Sequence, residues 1–498
     1  MKIINKIILL YLMLFLFSCG GNKNWSRILD DNGSSFSSIQ RTKDGGYIVT
    51  GYLIQDSHPR YNYATRSELW LLKIDKNGSP QWNKRFNSNT SGWDSKDYGH
   101  IIKQTQDDGY IIVGQALPDH YDLGNCSYNL KFDPQNKDRE SYKQDERCPE
   151  YHSYSNWKKE CVKWKEIPNI EGCRRGWIIK TDKNGIEQWN KFYMDYRIDE
   201  IIDIEELSNT NFIVAANTYD SGYVIMEIDD QGDIIWIQNN HLPKYHKSRT
   251  GISDISISSN NGYLLTGWVS NKTWLRKIDT KGNEQWTKLI DNNHKLDYNN
   301  QSLIEIDNGD IIVATSVSAE QTPDILRSIA LLKYNANGDL KSVKHYPPLK
   351  RLNYTKVVES IVENGGEHPH YDLEFEDRWL LGYTDTSFGT PIIKRCNDGG
   401  YGVLISTDDK WWSSGLLKID ENENSEWLQI FNGGELDNYG GTYDNGPNMN
   451  NFTFTDSNDF ILVGSIDGVF DGGFIFTVDK EGNYLEFKNT EKEQVHSE

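Results

Sequence analysis

The stretch that decides the fold is "DGGYIVTGYL", which occupies residues 44–53. Related stretches recur as "DDGYIIVGQAL" from Asp107, "NNGYLLTGWV" from Asn260, "DNGDIIVATSV" from Asp307 and "NDGGYGVLIST" from Asn397. Weaker copies begin at Leu207 and Asp456. Self-similarity at a spacing of tens of residues is the signature of a repeat architecture.

Each copy is followed by a second motif, in which Asp opens a turn, Gly comes three residues later and Trp four residues after the Gly. Seven copies occur, beginning with "WLLKIDKNGSPQW" from Trp70. Glu423 replaces the Gly once, and Ser342 and Glu486 replace the Trp. We interpret six repeat Trp residues, one of which precedes the first unit, as structural and packing between neighbouring units: Trp25, Trp82, Trp189, Trp236, Trp286 and Trp427.

The first unit predicts four short strands, at residues 36–42, 46–53, 69–74 and 81–86. Asp, Asn and Gly between them favour tight turns. The second and third strands are apolar nearly throughout, which is typical of strands covered on both faces. We therefore predict an all-β fold, a single β-propeller of seven or eight four-stranded blades. A parallel solenoid is the alternative, but its units are shorter.

The Asp…Gly…Trp units resemble the blades of quinoprotein-type proteins and the propeller repeats of secreted bacterial proteins. The resemblance covers almost the whole chain outside two insertions, and it implies the propeller fold far more than an activity. Quinoprotein dehydrogenases carry an adjacent Cys-Cys disulfide near the cofactor. This chain has no adjacent cysteines, so no quinone or other cofactor is expected.

Trp25 precedes the first complete unit. It follows Gly21 at the spacing seen in the motif, and "WSRIL" from Trp25 resembles "WNKRF" from Trp82. We predict an N-terminal strand that joins the last blade and closes the ring, since closure removes free sheet edges. The propeller then extends over residues 25–490, with a polar tail at 491–498.

The N-terminus predicts export. Residues 1–18 read as a signal peptide, whose apolar run at 7–17 is too short to span a membrane. Leu16-Phe17-Ser18-Cys19 resembles a bacterial lipobox, although Phe17 departs from the usual small residue. The resemblance implies lipidation of Cys19, a tether at 19–24 and a place at the bacterial cell envelope, on the outer membrane. An ordinary cleaved signal is the alternative.

One insertion, at residues 118–175 in the second unit, holds four cysteines: Cys126, Cys148, Cys161 and Cys173. In an exported protein they predict two disulfides that staple a loop without its own core, and three pairings remain open. A zinc site is the alternative, although no Cys-x-x-Cys pair occurs. Cys396 lies on a predicted strand and is expected to be a buried free thiol.

A second interruption, at residues 357–390, is either a degenerate eighth blade or an insertion. His368 and His370 within it could bind a metal, because His-x-His on a strand places both rings on one face. The alternative, which we favour, is an exposed acidic loop without a metal.

Composition narrows the choice of partner. The 498 residues carry a formal net charge of −20, which argues against binding nucleic acid. We expect a monomer that acts as a binding or scaffolding module for a protein or glycan. The alternative is a carbohydrate-active enzyme with its site at the central channel. Asp203, Asp254 and Glu305 fall near inner-strand positions, but we assign no catalytic residue.

Overall fold

The structure is a computed structural model. It describes residues 25–29, 34–55, 66–88, 96–117, 150–155, 158–163, 175–193, 198–218, 222–240, 250–270, 272–290, 296–317, 328–346, 391–406, 414–431, 448–466, 472–484 and 491–493. No helix long and apolar enough to cross a bilayer occurs within these ranges.

Four sheets contain four antiparallel strands each, in chain order. The first two are β12 (Ile198–Glu206), β13 (Phe212–Thr218), β14 (Tyr223–Ile228) and β15 (Ile234–Asn240), then β16 (Thr250–Ile257), β17 (Tyr263–Val269), β18 (Lys272–Ile278) and β19 (Glu284–Ile290). The others are β20 (Leu296–Glu305), β21 (Ile311–Val317), β22 (Ser328–Tyr334) and β23 (Leu340–Tyr346), then β24 (Ile392–Arg395), β25 (Tyr401–Ser406), β26 (Ser414–Ile419) and β27 (Ser425–Phe431).

A fifth sheet of blade size has five strands and joins the two ends of the chain. Its strands, in spatial order, are β28 (Asn448–Phe454), β29 (Phe460–Ile466), β30 (Gly472–Val478), β1 (Ser26–Leu29) and β31 (Glu491–Glu493). β1 runs antiparallel to β30 and parallel to β31. The predicted closing strand is thus present, and the polar C-terminal residues add an edge strand beside it.

The first two sequence units form one eight-stranded sheet. One half is β2 (Ser35–Arg41), β3 (Tyr47–Gln55), β4 (Arg66–Ile74) and β5 (Pro80–Phe86), and the other is β6 (Lys96–Gln104), β7 (Tyr110–Leu117), β10 (Arg175–Thr181) and β11 (Glu187–Phe192). The halves meet at one parallel pair, Ser67 with Lys96.

The fold is an all-β propeller, but the expected number of separate blades is wrong. Among the described residues, five blades stand as separate sheets rather than seven or eight. The reason is the Ser67–Lys96 pair, which hydrogen-bonds two units into one sheet. The stretch proposed as an eighth blade, residues 357–390, lies outside the described residues.

The Asp of the second motif shapes its turn. In the copy at Asp229, the Oδ1 atom accepts hydrogen bonds from the backbone N–H groups of Gln231 at 2.9 Å and Asp233 at 2.8 Å. Gly232 adopts a φ of 76°, a left-handed conformation that favours glycine because other residues carry a Cβ. The sequence pattern Asp-x-x-Gly therefore encodes a hydrogen-bonded turn.

The motif Trp packs on the Gly of the next unit. A Cβ added to the Gly would lie between 2.4 and 3.2 Å from the indole ring in six pairs. The pairs are Trp25–Gly78, Trp82–Gly185, Trp189–Gly232, Trp236–Gly282, Trp286–Gly338 and Trp427–Gly482. All six sequence-predicted Trp residues thus pack between units, and Trp25 supplies the ring that the last unit lacks at Glu486.

The two other departures from the motif meet at a single interface. Ser342, in place of Trp, lies on β23, and Glu423, in place of Gly, lies in the turn that this strand faces. The Glu423 carbonyl accepts hydrogen bonds from Tyr346 Oη at 2.6 Å and from Lys344 Nζ, and the Glu423 carboxylate pairs with Lys333. Polar contacts therefore replace the Trp–Gly contact at this interface.

Several predicted features fall outside the description. Residues 1–24, including Cys19, lie outside the described residues, as do Cys126, Cys148, Cys173, His368 and His370. Cys161 lies on β9 (Lys158–Lys163), which pairs with β8 (Glu150–Ser155), and only the backbone of this hairpin is described. The two disulfides stay a prediction, whereas Cys396 is a buried free thiol as expected.

We predict that Trp286 and Gly338 are energetically coupled. Trp286→Ala should lower the free energy of unfolding by about 2 kcal/mol through lost packing. Gly338→Ala should also destabilise the fold, because its Cβ would lie 2.7 Å from the Trp286 ring. In the double variant this clash disappears, so the double variant should be destabilised by about 1 kcal/mol less than the sum of the two single effects. Denaturant unfolding of the four proteins measures the coupling.

Gly309→Ala is the matched control. Gly309 has a φ of 80°, but an added Cβ would meet no atom closer than 3.6 Å. Its substitution therefore tests the backbone term alone and should be additive with Trp286→Ala. Additivity of Gly338→Ala with Trp286→Ala would contradict the proposed contact.

Candidate functional site

The first strand of each sequence unit belongs to an inner ring. These inner strands are β2, β6, β12, β16, β20, β24 and β28. Neighbours in the ring contact one another directly or through side-chain hydrogen bonds, and β28 contacts β2. In a propeller such strands surround the central channel. Polar groups on these strands are therefore candidates for a binding or active site.

The registers of the inner strands define equivalent positions. Each of several inner strands contains a bulge, as between Ile201 and Asp203 on β12 and between Ile252 and Asp254 on β16. After the bulge, Asp203 pairs with Ala215 and Asp254 with Thr266, at the same level of their sheets. The two carboxylates thus occupy matching places on neighbouring inner strands. We call this level the first layer.

The first layer also ties neighbouring inner strands together. Asp254 Oδ2 accepts a hydrogen bond from Leu303 N at 2.7 Å, on β20. Ser302 Oγ, in the same position on β20, accepts one from Ile393 N at 3.0 Å, on β24. Asp254 is therefore structural as well as ionisable.

Two residues further along each strand lies a second layer. Lys103, Glu205 and Lys394 occupy it, pairing with Ile111, Ile213 and Gly402 in turn. Lys103 Nζ contacts Asp203 Oδ1 and Glu205 Oε1, both at 2.8 Å. The side chain of Lys103 is 23% exposed, that of Asp203 13% and that of Glu205 31%, so this ion-paired group is largely shielded from solvent.

Shielding shifts the pKa values of the paired groups. Burial raises the pKa of Asp203 to about 6, opposed by the positive charge of Lys103. Burial alone would lower the pKa of Lys103, but the carboxylates of Asp203 and Glu205 outweigh it and raise the pKa. The Lys103 ammonium therefore stays charged at neutral pH.

Asp254 and Lys394 are shifted toward their neutral forms. Burial raises the pKa of Asp254 to about 8, and the negative charge of Asp203 adds to this. Burial lowers the pKa of Lys394 to about 7, and the positive charge of Lys103 lowers it further against the pull of Asp203. The ring thus holds a carboxyl group that can donate a proton and, on another strand, an amine that can lose one, and shifted pKa values of this kind are common at functional sites.

Glu305 has a different role from the two aspartates. Its carboxylate accepts hydrogen bonds from Ser259 N at 2.6 Å and Ser258 Oγ at 3.2 Å, in the turn after β16. Glu206 binds Gln106 N in the same way at 2.8 Å. Glu305 therefore fixes a turn at the rim of the ring and does not join Asp203 and Asp254.

Sequence reasoning missed Lys103 and Lys394. Both follow a pair of isoleucines immediately before a turn, in "IIKQTQDDG" and "IIKRCNDGG". Alignment of the first strands of the units, rather than of the turns alone, would have found them.

No group of His, Cys, Asp and Glu side chains suited to a metal ion occurs in the part of the chain that the structure describes.

No family model matches the chain, and no curated protein matches it either. Solved structures that resemble it include a protein of unknown function from Dyadobacter fermentans, with 11% identity, coverage of 91% of this chain and 97% of that chain, and a TM-score of 0.45. A Lactobacillus plantarum protein has 10% identity, coverage of 88% and 95%, and a TM-score of 0.45. The NanB sialidase of Streptococcus pneumoniae has 9% identity, coverage of 90% and 69%, and a TM-score of 0.38. Similarity this low carries no argument about function.

We predict that the stability of the Asp254→Asn variant, relative to wild type, increases as the pH rises. The folded protein holds the Asp254 proton up to about pH 8, whereas the unfolded chain releases it near pH 4. Between these values the native state binds more protons, so this group makes stability fall with rising pH. Asparagine can still accept the Leu303 hydrogen bond but does not ionise. Denaturant unfolding at about pH 5 and about pH 8 should show the variant gaining at least about 1 kcal/mol relative to wild type.

Asp279→Asn is the control, because the pKa of Asp279 is shifted in the opposite direction to that of Asp254. Hydrogen bonds from Asn283 lower the pKa of Asp279, so its stabilising contribution is present at neutral pH and is lost as the solution is acidified through the folded-state pKa. The Asp279 variant should therefore lose stability relative to wild type at both pH values. A relative stability of Asp254→Asn that is the same at both would contradict the assigned burial.

Proposed function

We propose that this protein is a lipid-anchored, extracytoplasmic binding module that captures a protein or glycan partner with one face of its propeller. A bacterial outer membrane is the proposed location and Cys19 the proposed site of lipidation. The observation that carries the proposal is the direction of the chain. The long connections lie at one face of the propeller, and the N-terminal strand begins at the opposite face.

Short turns define one face, which we call the turn face. They join first strands to second strands and third strands to fourth strands, as at residues 42–46 and 75–79. Because neighbouring strands are antiparallel, all remaining connections join strand ends at the opposite face, which we call the loop face. The connection from β7 to β10, which contains the first insertion, starts and finishes there, and so does that from β23 to β24.

The N-terminal strand enters at the turn face. β1 starts beside the end of β30, with Ser26 paired to Phe476 and Trp25 hydrogen-bonded to Thr477. Trp25 also packs on Gly78, in a turn of that face. The five residues 20–24 reach at most about 18 Å. A lipid on Cys19 would therefore hold the turn face toward the membrane and direct the loop face outward.

An exposed set of long connections on a rigid ring is a common basis for recognition. The two interruptions of the repeat, at residues 118–175 and 357–390, fall in the connections from β7 to β10 and from β23 to β24, and both connections begin and end at the loop face. They differ in sequence from the repeat, so they are the segments we assign to partner capture. The acidic charge of the chain agrees with a partner other than nucleic acid.

Replacement of the first insertion tests partner capture. Ala116 and Arg175 are paired across β7 and β10, so an Asn-Gly hairpin turn in place of residues 117–174 should preserve the sheet. We expect the variant to remain folded and membrane-bound but to lose its cross-linked partner in intact cells. The matched control replaces residues 318–327, between the paired Val317 and Ser328, with the same turn. Equal capture by both variants would overturn the assignment to the insertion.

Cys19→Ala tests the anchor separately. Without the thiol no lipid can be attached, so an alkyne-tagged fatty acid should label the wild type and not the variant. The variant should also leave the membrane fraction, because acyl chains contribute about 0.8 kcal/mol per buried CH₂. A variant that stays with the membrane, together with a wild type that takes up no label, would contradict lipid anchoring. The proposal of partner capture would be unaffected by that result.

A carbohydrate-active enzyme is the second candidate. The observation that favours it is the matched position of Asp203 and Asp254 on neighbouring inner strands, because glycoside hydrolysis uses two carboxyl groups in different protonation states. Turnover of a polysaccharide panel by the purified protein, lost in Asp254→Asn, would support it. No turnover of the panel would count against it.

A further inference from the structure

Lys394 differs from the other lysine of the inner ring in its hydrogen bonds. Its Nζ atom donates to Asn451 Oδ1 at 2.7 Å and to the carbonyl oxygen of Phe452. Both acceptors are neutral, and no carboxylate pairs with this amine within the described ranges. Lys103, at the same level, contacts two carboxylates instead.

The two acceptors match the donors of a neutral amine. An ammonium group has three N–H donors and no lone pair, whereas a neutral amine has two N–H donors and one lone pair. Asn451 and Phe452 accept two hydrogen bonds. The described surroundings of Lys394 therefore satisfy the neutral form and leave its lone pair available.

The surroundings also disfavour the charged form. The Phe452 ring, whose centre lies 5.2 Å from Lys394 Nζ, favours a cation, but the side chain is half-buried. Burial and the positive charge of Lys103 together lower the pKa of Lys394 to about 7. A desolvated lysine beside another cation is a recognised form of activated nucleophile.

We propose that Lys394 is a nucleophilic amine that binds small aldehydes or ketones as an imine within the inner ring. The nitrogen lone pair attacks the carbonyl carbon and forms a carbinolamine. Loss of the former carbonyl oxygen as water, with the two amine protons, leaves a C=N bond in place of C=O. The step consumes no oxidant or reductant, and it is reversible by water.

A purely structural role is the alternative. Lys394 links β24 to β28 through Asn451 and Phe452, and a charged lysine used only as a link would react no faster than a surface lysine. Reactivity toward a carbonyl compound therefore separates the two roles, whereas a loss of stability on substitution would not.

The test treats the full-length protein with limiting acetaldehyde and sodium cyanoborohydride, which reduces an imine to a stable secondary amine. Peptide mass mapping then gives the rate at each lysine. We expect Lys394 to be alkylated at least about tenfold faster than exposed lysines such as Lys341 at pH 7, because an ordinary lysine has a pKa near 10.4. Its rate should rise with a midpoint near pH 7, and Lys103 should stay unmodified.

Two variants complete the design. Lys394→Arg keeps donors for Asn451 and Phe452 but has no nucleophilic amine, so the fast-reacting site should disappear from the intact mass. Lys103→Arg, the matched control, keeps the positive charge and should retain the fast site. A Lys394 rate equal to that of surface lysines, or a midpoint near pH 10, would overturn the proposal using the wild-type protein alone.

Discussion

The contact between a tryptophan ring and a glycine of the next unit is the interaction on which the rest of the structure depends. The ring occupies the space that a Cβ would need, as Trp286 does over Gly338. The same glycine has a left-handed backbone conformation in a turn held by an Asp or Asn side chain. Three residue types at fixed spacing thus specify a turn, a packing surface and the position of the neighbouring unit.

The same kind of contact sets the direction of the N-terminal strand between the two faces of the propeller. Because Trp25 packs on Gly78, the N-terminal strand must begin at the turn face, and the long connections are left on the other face. One closing contact therefore connects the fold to the proposed function. The proposed anchor upstream of Trp25 and the proposed binding surface on the loop face both depend on the direction of this one strand.

Much of the fold could be predicted from sequence because its determinants are local. The four strands of the first unit were expected at residues 36–42, 46–53, 69–74 and 81–86, and the structure has β2 to β5 within three residues of these bounds. The pairing of Ser67 with Lys96 was not predictable, since a single bridge between units has no local pattern. It changed the number of separate blades.

The inner ring shows the same limit. Asp203 and Asp254 were found because each unit has a first strand, yet their equivalence depends on bulges that shift the register. The difference between Lys103 and Lys394 cannot be read from "IIKQ" and "IIKR", because it arises from side chains and a backbone carbonyl on the next inner strand. Contacts between distant parts of the chain, rather than local sequence, decide which lysine is ion-paired.

Closure of the ring by the N-terminal strand is the central claim, and an engineered disulfide tests it most directly. Arg27 and Ile475 are paired across β1 and β30, so Arg27→Cys with Ile475→Cys should form a cross-link on mild oxidation, while each single substitution should not. Proteolytic cleavage between the two positions followed by non-reducing electrophoresis reads out the bond. A cross-link in the folded protein is the predicted result. Its absence in a folded double variant would contradict the closure, and with it the assignment of the anchor to the turn face.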